Sequence, residues 1–294
     1  MRSSWRRHRE WLTPTLLILP AVVLFFVVIL WSAVESVWIS FHEWDGFGPM
    51  VWIGLGNYVE LLDDPQFYVS LKNNLIWLVA FLAAPPLGLA LALLLNQKIR
   101  GMRLMKSLFF IPLVLASVAV GVVFTWVYTP ELGLLSLVFR AFGATAPAVL
   151  SDEHFVTVAV VVAAIWPQIA FCMVLYLAGL NNVSEEQIGA GRVDGARGWR
   201  MLRHVVLPQL TQVTFIAIAV TVVGALRSFD MISVMTQGGP FGSSQVLAYQ
   251  MYEQSIFSYR FGYGAAIATV LLAIMVVFIA WYVMRIVRFE EKGV

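Results

Sequence analysis

Charged residues are scarce in this chain. Asp, Glu, Lys and Arg make up 12% of its 294 residues and hydrophobic residues 60%, whereas a soluble globular domain carries roughly 25% charged residues. That shortage excludes a water-soluble fold. Cysteine is nearly absent as well: Cys172 stands alone, so no intramolecular disulfide is possible, and its apolar surroundings read it as a small buried hydrophobe. No G-x-x-x-x-G-K-[ST] phosphate loop occurs, so the chain cannot itself supply a P-loop nucleotide site. His8, His42, His154 and His204 fall in different loops and form no metal-ligand set. The net charge of +2 is too small to point to nucleic acid. Neither a metal nor a cofactor is expected on this chain.

Long apolar runs take the place of what is missing. They lie at about Leu16–Phe41, Ser70–Leu95, Ser107–Tyr128, Phe155–Leu180, Leu210–Phe229 and Tyr263–Val287, and a bilayer crossing needs about 20 such residues. The expected fold is therefore all-α, a polytopic membrane protein with six transmembrane helices filling residues 16–287 between short tails at 1–15 and 288–294. No length remains for a soluble catalytic domain, so the chain is not expected to be an enzyme. The first run follows Arg2, Arg6, Arg7 and Arg9 and looks like a signal peptide, but it has no convincing small-residue cleavage site and reads as a retained anchor. Pro20, Pro85, Pro86, Pro112 and Pro167 lie inside runs; each removes a backbone hydrogen bond and tends to kink its helix.

The basic residues orient the chain. Arg2, Arg6, Arg7 and Arg9, then Lys98, Arg100, Arg103 and Lys106, then Arg192, Arg197, Arg200 and Arg203, and finally Arg285, Arg288 and Lys292 share one face, leaving only Lys72, Arg140, Arg227 and Arg260 elsewhere. By the positive-inside rule that face, with both termini, is cytoplasmic. The loop from His42 to Phe67 carries Glu43, Asp45, Glu60, Asp63 and Asp64 without a single Lys or Arg, as an external loop would.

Residues 181–208 join the fourth and fifth runs. Ser184 followed by Glu185, Glu186 and Gln187 is a helix start, with a hydroxyl cap, acids in the first turn and a glutamine at the capping-box position. Gly195 and Gly198 offer a stop or turn. The segment reads as a short cytoplasmic helix, a turn and a basic stretch that Leu207-Pro208 leads into the fifth run. By pattern alone an ordinary surface loop is the favoured reading.

Asp194-Gly195-Ala196, followed after nine residues from Gly195 by Val205-Val206-Leu207-Pro208, resembles the cytoplasmic signature of binding-protein-dependent ABC importer permeases. That signature runs Glu-Ala-Ala, three residues, Gly, nine residues, an aliphatic residue, one residue and Leu-Pro. The resemblance is closest to the carbohydrate group, of the maltose and glycerol-phosphate permease type, and to the first of its two membrane subunits. Gly54-Leu55-Gly56-Asn57-Tyr58, Phe109-Phe110-Ile111-Pro112 and Phe229-Asp230 with Thr236-Gln237-Gly238-Gly239-Pro240 extend it over nearly the whole chain. One departure stands out: the family's Glu-Ala-Ala is Gly189-Ala190-Gly191 here. It lacks the acid that the family presents to its ATPase, and Glu185 or Glu186, about one turn earlier, is the candidate substitute.

The resemblance implies a type I ABC importer permease fold and a permease subunit that forms the path for a sugar or sugar-like solute. It implies as partners a second homologous permease, two ATPase subunits holding ATP and Mg, an external solute-binding protein and membrane lipid. Coupling to the ATPase would run through Glu185, Glu186, Gly189, Ala190, Asp194, Gly195 and Ala196. Solute contacts carried over from the family are Ser117, Gln168, Thr221 and Ser228; the alternative for each is an interhelical hydrogen bond, the commoner role for Ser and Thr. Arg227 is singled out by charge near a span end: it could pair with Asp230 three residues on, snorkel to the headgroups, or meet an anionic solute. The loop Asp230–Gly262 is expected outside, where it meets the binding protein or simply turns at Gly-Gly-Pro. The rival class is an ion-coupled secondary transporter, which would carry membrane-embedded acids or inverted repeats. Only Glu35, near a span end, resembles such an acid.

Overall fold

The computed structural model describes residues 15–97 and 99–291. Most of the tail expected at 1–15, Lys98, and residues 292–294 lie outside the described residues. In chain order the elements are α1 (Thr15–Ile39), β1 (His42–Glu43), β2 (Val51–Trp52), α2 (Gly56–Asp63), α3 (Pro65–Leu95), α4 (Met102–Val114), α5 (Ser117–Val127), α6 (Leu134–Ala141), α7 (Val156–Asn181), α8 (Glu185–Val193), α9 (Trp199–Gln209), α10 (Thr211–Leu226), α11 (Asp230–Met235), α12 (Leu247–Tyr252) and α13 (Phe261–Glu291). Among the described residues the fold is all-α apart from the antiparallel pair of two-residue strands β1–β2.

Among the described residues α1, α3, α7 and α13 are each long and apolar enough to cross a membrane. The third and fifth predicted spans are not straight. α4 and α5 meet at 99°, and α9 and α10 at 74°; counting each bent pair as one span gives the expected six. At about 1.5 Å per residue, α4 and α5 are each too short for a hydrocarbon core of about 30 Å. The first break lies at Leu115 and Ala116, both extended, with ψ 136° and 140°. Leu and Ala are strong helix formers, so local preference does not mark this break. Beyond the break α5 packs close to α11, where a Cβ on Gly121 would sit 3.2 Å from Val234. The fifth helix also ends at Leu226, earlier than the expected Phe229.

The chain divides into two compact units. One comprises residues up to Asp63 with Met251–Val270. Here Asn57, within the Gly-Leu-Gly-Asn-Tyr motif, is buried and donates to the carbonyls of Ser40 (2.8 Å) and His42 (2.9 Å), while the Tyr58 hydroxyl bonds Ser40 Oγ at 2.6 Å. The motif thus ties α2 to the end of α1. Arg260 forms a two-pronged ion pair with Glu60 and lies over the Tyr263 ring, which accounts for one of the basic residues off the basic face.

The other unit comprises Asp64–Gln250 and Leu271–Val294. Its core joins the second half of α3 to α7 through Ala84, Ala92, Leu95, Cys172, Met173 and Tyr176. Ala84, Gly88 and Ala92 recur every four residues, a small-residue stripe that lets helix backbones approach. A Cβ on Gly88 would lie 2.5 Å from Cys172 Cβ and 2.7 Å from the Met173 nitrogen, so nothing larger fits there. Cys172 is fully buried and unbridged. α3 continues past a turn at Leu82–Ala83 through Pro85 and Pro86, while Pro112 and Pro167 sit inside α4 and α7.

Candidate functional site

The segment 181–208 forms the helix its sequence promises. The Ser184 hydroxyl accepts from the Gln187 N–H (3.3 Å), and Glu185 and Glu186 occupy the first turn, where acids favour the helix dipole. At the other end the Ala196 N–H donates to the Gly191 carbonyl (2.8 Å) and the Gly195 N–H to the Arg192 carbonyl (3.1 Å). That is a Schellman closure with Gly195 left-handed, at φ +79°. Gln209 holds the helix to the next element, its Oε1 accepting from the Ser184 N–H (2.9 Å) and its Nε2 donating to the Val205 carbonyl (2.8 Å). Sequence reading overlooked Gln209, because a single amide beside an apolar run carries no pattern.

The two glycines of the altered signature differ in role. A Cβ on Gly191 would lie 3.0 Å from Val205 Cγ2, so that position seats α8 against the segment leading to the fifth span. Gly189, where the family has its acid, faces open space with nothing within 4 Å. Glu185, Glu186, Ala190 and Asp194 are exposed, and Val193 and Trp199 leave 88% and 67% of their surface open. α8 therefore presents an acidic start and an exposed Val193 near its end, with Trp199 exposed at the start of α9 beyond the turn.

A second feature is a cavity of about 310 Å³ walled by α3, α7, α10 and the turn into α11. Ser117, Gln168, Arg227 and Ser228 all line it, with Asp230 and the rings of Trp77, Phe81, Phe171 and Phe229. Four candidates chosen from sequence thus come together. Thr221 is not in the lining: fully buried, its Oγ1 accepts from Gln168 Nε2 at 2.8 Å. The Ser228 hydroxyl donates back to the Ala225 carbonyl at 2.5 Å. Among the described residues Arg227 makes no ion pair, with Asp230 or otherwise; its exposed guanidinium belongs to the cavity wall.

The Thr-Gln-Gly-Gly-Pro motif forms a loop braced from three helices. Asn73 of α3 donates to the carbonyls of Ser243 and Gln245 (both 2.7 Å), Gln66 of α3 to that of Gly242 (2.9 Å), and Thr157 of α7 to that of Ser243 (3.2 Å). Thr236, at the end of α11, shares a 2.8 Å bond with Ser244, which also donates to the Gly239 carbonyl. Gln237 and Phe241 are held at φ +49°, a region that costs a residue with a side chain roughly 1–2 kcal/mol. At the tip Phe241 is 91% exposed. Asn73 and Asn74, both buried, anchor this arrangement and were not evident as functional residues in the sequence.

Relatives fit this geometry. Residues 84–289 match the family described as binding-protein-dependent transport system inner membrane component. A probable ABC transporter permease protein of Pyrococcus horikoshii is 34% identical over 94% of this chain and 96% of its own length. The sn-glycerol-3-phosphate transport system permease protein UgpA of Agrobacterium fabrum is 30% identical over 96% of this chain and 95% of its own. Among solved structures, a chain of a bacterial ABC transporter that imports the acidic polysaccharide alginate superposes with a TM-score of 0.84 at 20% identity, covering 98% of this chain and 99% of that one. With capped helix, signature and six-run architecture in place over that length, the chain belongs to the family of inner membrane components of binding-protein-dependent transport systems.

Proposed function

We propose that this permease works beside a second, homologous permease in an ATP-driven importer of a sugar or sugar-like solute, with both termini and α8 in the cytoplasm. The observation that carries the reading is α8, a short helix with both ends capped, seated by Gly191 and held by Gln209, with an exposed acidic and apolar surface inside the family signature. Two ATPase subunits, holding ATP and Mg, engage this surface through Glu185, Glu186, Gly189, Ala190, Asp194, Gly195 and Ala196, with the two glutamates supplying the charge that Gly189 lacks. Closure of the ATPases moves α8, and the permease pair switches the side to which its cavity opens. An external binding protein delivers solute on the side of the loop that ends in Phe241. Ser117, Gln168, Arg227 and Ser228 form part of the path, and Thr221 orients the Gln168 amide.

A carbohydrate-like cargo is supported by the cavity's mixture of aromatic rings with amide, hydroxyl and charged groups, the lining such solutes need, and by the relatives' substrates. The test is to reconstitute the full complex in proteoliposomes and follow uptake and ATP hydrolysis. Gly195→Trp should leave membrane insertion intact while abolishing ATPase association and uptake; normal uptake would overturn the coupling role of α8. Uptake that persists without ATP and collapses with an ion gradient would favour the secondary-transporter class instead.

A further inference from the structure

The cavity wall contains a donor that no sequence motif marks. Trp77 lies on α3, is 1% exposed, and its indole N–H is buried without a hydrogen-bond partner among the described residues. Such a donor costs about 1–3 kcal/mol, and the great majority of buried polar groups avoid that cost. A phenylalanine would pack a ring without it, as Phe81 does next door at 5.2 Å between ring centroids. Elsewhere in the wall Ser228 and the Gln168 amide nitrogen have partners within the protein.

Position adds to the chemistry. One turn before Trp77, the Asn74 side chain accepts from the Leu247 N–H (2.9 Å) and reaches the Leu226 carbonyl (3.4 Å). α3 is thereby fixed to the end of α10, where Arg227 and Ser228 enter the wall. The indole and the guanidinium are thus held on one cavity, both able only to donate, with ring faces around them.

We propose that Trp77 is a specificity-determining solute contact, donating its indole N–H to an acceptor oxygen of a polyol or of its phosphate ester. The assignment rests on reading this cavity as the solute path. The donor is closed off in the present conformation and becomes satisfied when the wall opens onto solute. A bond made only in the loaded state gives the solute a differential affinity for that state, which is what shifts a two-state equilibrium.

The test uses the complete complex in proteoliposomes with its binding protein, with maltose and sn-glycerol 3-phosphate as probes, and compares wild type with Trp77→Phe and Trp77→Leu. Trp77→Phe keeps the ring and removes the N–H. It should raise the KM for whichever probe is carried about tenfold, the scale of one lost hydrogen bond, while basal ATP hydrolysis is unchanged and the solute-free melting temperature is equal to or above that of wild type. Trp77→Leu should raise KM further. Response to maltose alone assigns the acceptor to an uncharged hydroxyl or ring oxygen, and response to the phosphate ester alone assigns it to an oxygen of that ester. An unchanged KM in Trp77→Phe, or a lowered solute-free melting temperature, overturns the role of Trp77. Uptake that is unchanged when Gln168 and Arg227 of the same cavity are both replaced overturns the solute-path reading, and the assignment of Trp77 falls with it.

Discussion

Gln168 and Thr221 show how a polar pair inside a span divides its work. Gln168 faces the cavity, while Thr221 is wholly buried and accepts the amide's N–H. Thr221→Val keeps the shape and removes the acceptor, leaving a partly buried donor unpaired at about 1–3 kcal/mol. It should lower the melting temperature of the complex and raise the solute KM. Gln168→Ala should raise KM with a smaller loss of stability, and the two changes together should be less than additive, as expected of groups in one bond. Arg227 is the other residue whose role turns on its partners. Without an ion pair among the described residues, its charge is available to the cavity, and a guanidinium suits oxyanions. Arg227→Gln should depress uptake of sn-glycerol 3-phosphate at least tenfold with basal ATP hydrolysis and assembly intact. Full activity of that variant toward every transported solute would return Arg227 to the rim of the span.

The helices and loops make separable demands on the chain. α8 is closed by a left-handed Gly195 with open space around it, so Gly195→Ala meets no clash and costs only backbone strain, roughly 1–2 kcal/mol. Gly189→Glu, which restores the family's acid at a site with nothing within 4 Å, should fit without disturbing the helix and strengthen ATPase association in a pull-down. Weakened association would show that Glu185 and Glu186 already occupy the ATPase groove. Between α3 and α7, Gly88→Val forces atoms into the Met173 backbone and should destabilise the fold by several kcal/mol, beyond the usual overpacking range of about 1–3, because backbone cannot rotate out of the way. The loop carrying Phe241 combines rigidity with an exposed ring. Preorganised aromatic groups are favoured as interface anchors because little entropy is lost when they dock. Phe241→Ala should therefore leave folding and basal ATP hydrolysis unchanged while weakening stimulation by the loaded binding protein.

At the scale of the whole molecule the distribution of basic residues predicts which way the spans run. Single cysteines at Arg100 and Arg197, in a background lacking Cys172, should label from the cytoplasm; Phe47 and Phe241, 83% and 91% exposed, should label from outside. Ser244 makes a poor probe for the same loop because it is fully buried and bonded to Thr236 and Gly239. Reversed labelling at two of these sites would invert the topology.

The sequence by itself determined the class of solvent, the runs long enough to cross it and the helix in the loop 181–208. Each of these depends on local quantities: apolar length, a cap such as Ser184, a glycine such as Gly195 free to turn left-handed. Cross-chain contacts decided the rest. The break at Leu115–Ala116 occurs between two helix formers, so local preference does not mark it. Thr221, a solute-path candidate by resemblance, accepts from Gln168, a partner 53 residues distant. Asn73, between Lys72 and Asn74, shows no sign of its role in the sequence until the loop 170 residues further on supplies its carbonyls. Hydrogen bonds of that reach leave no period in a sequence, because the distance along the chain between their partners follows from the fold alone.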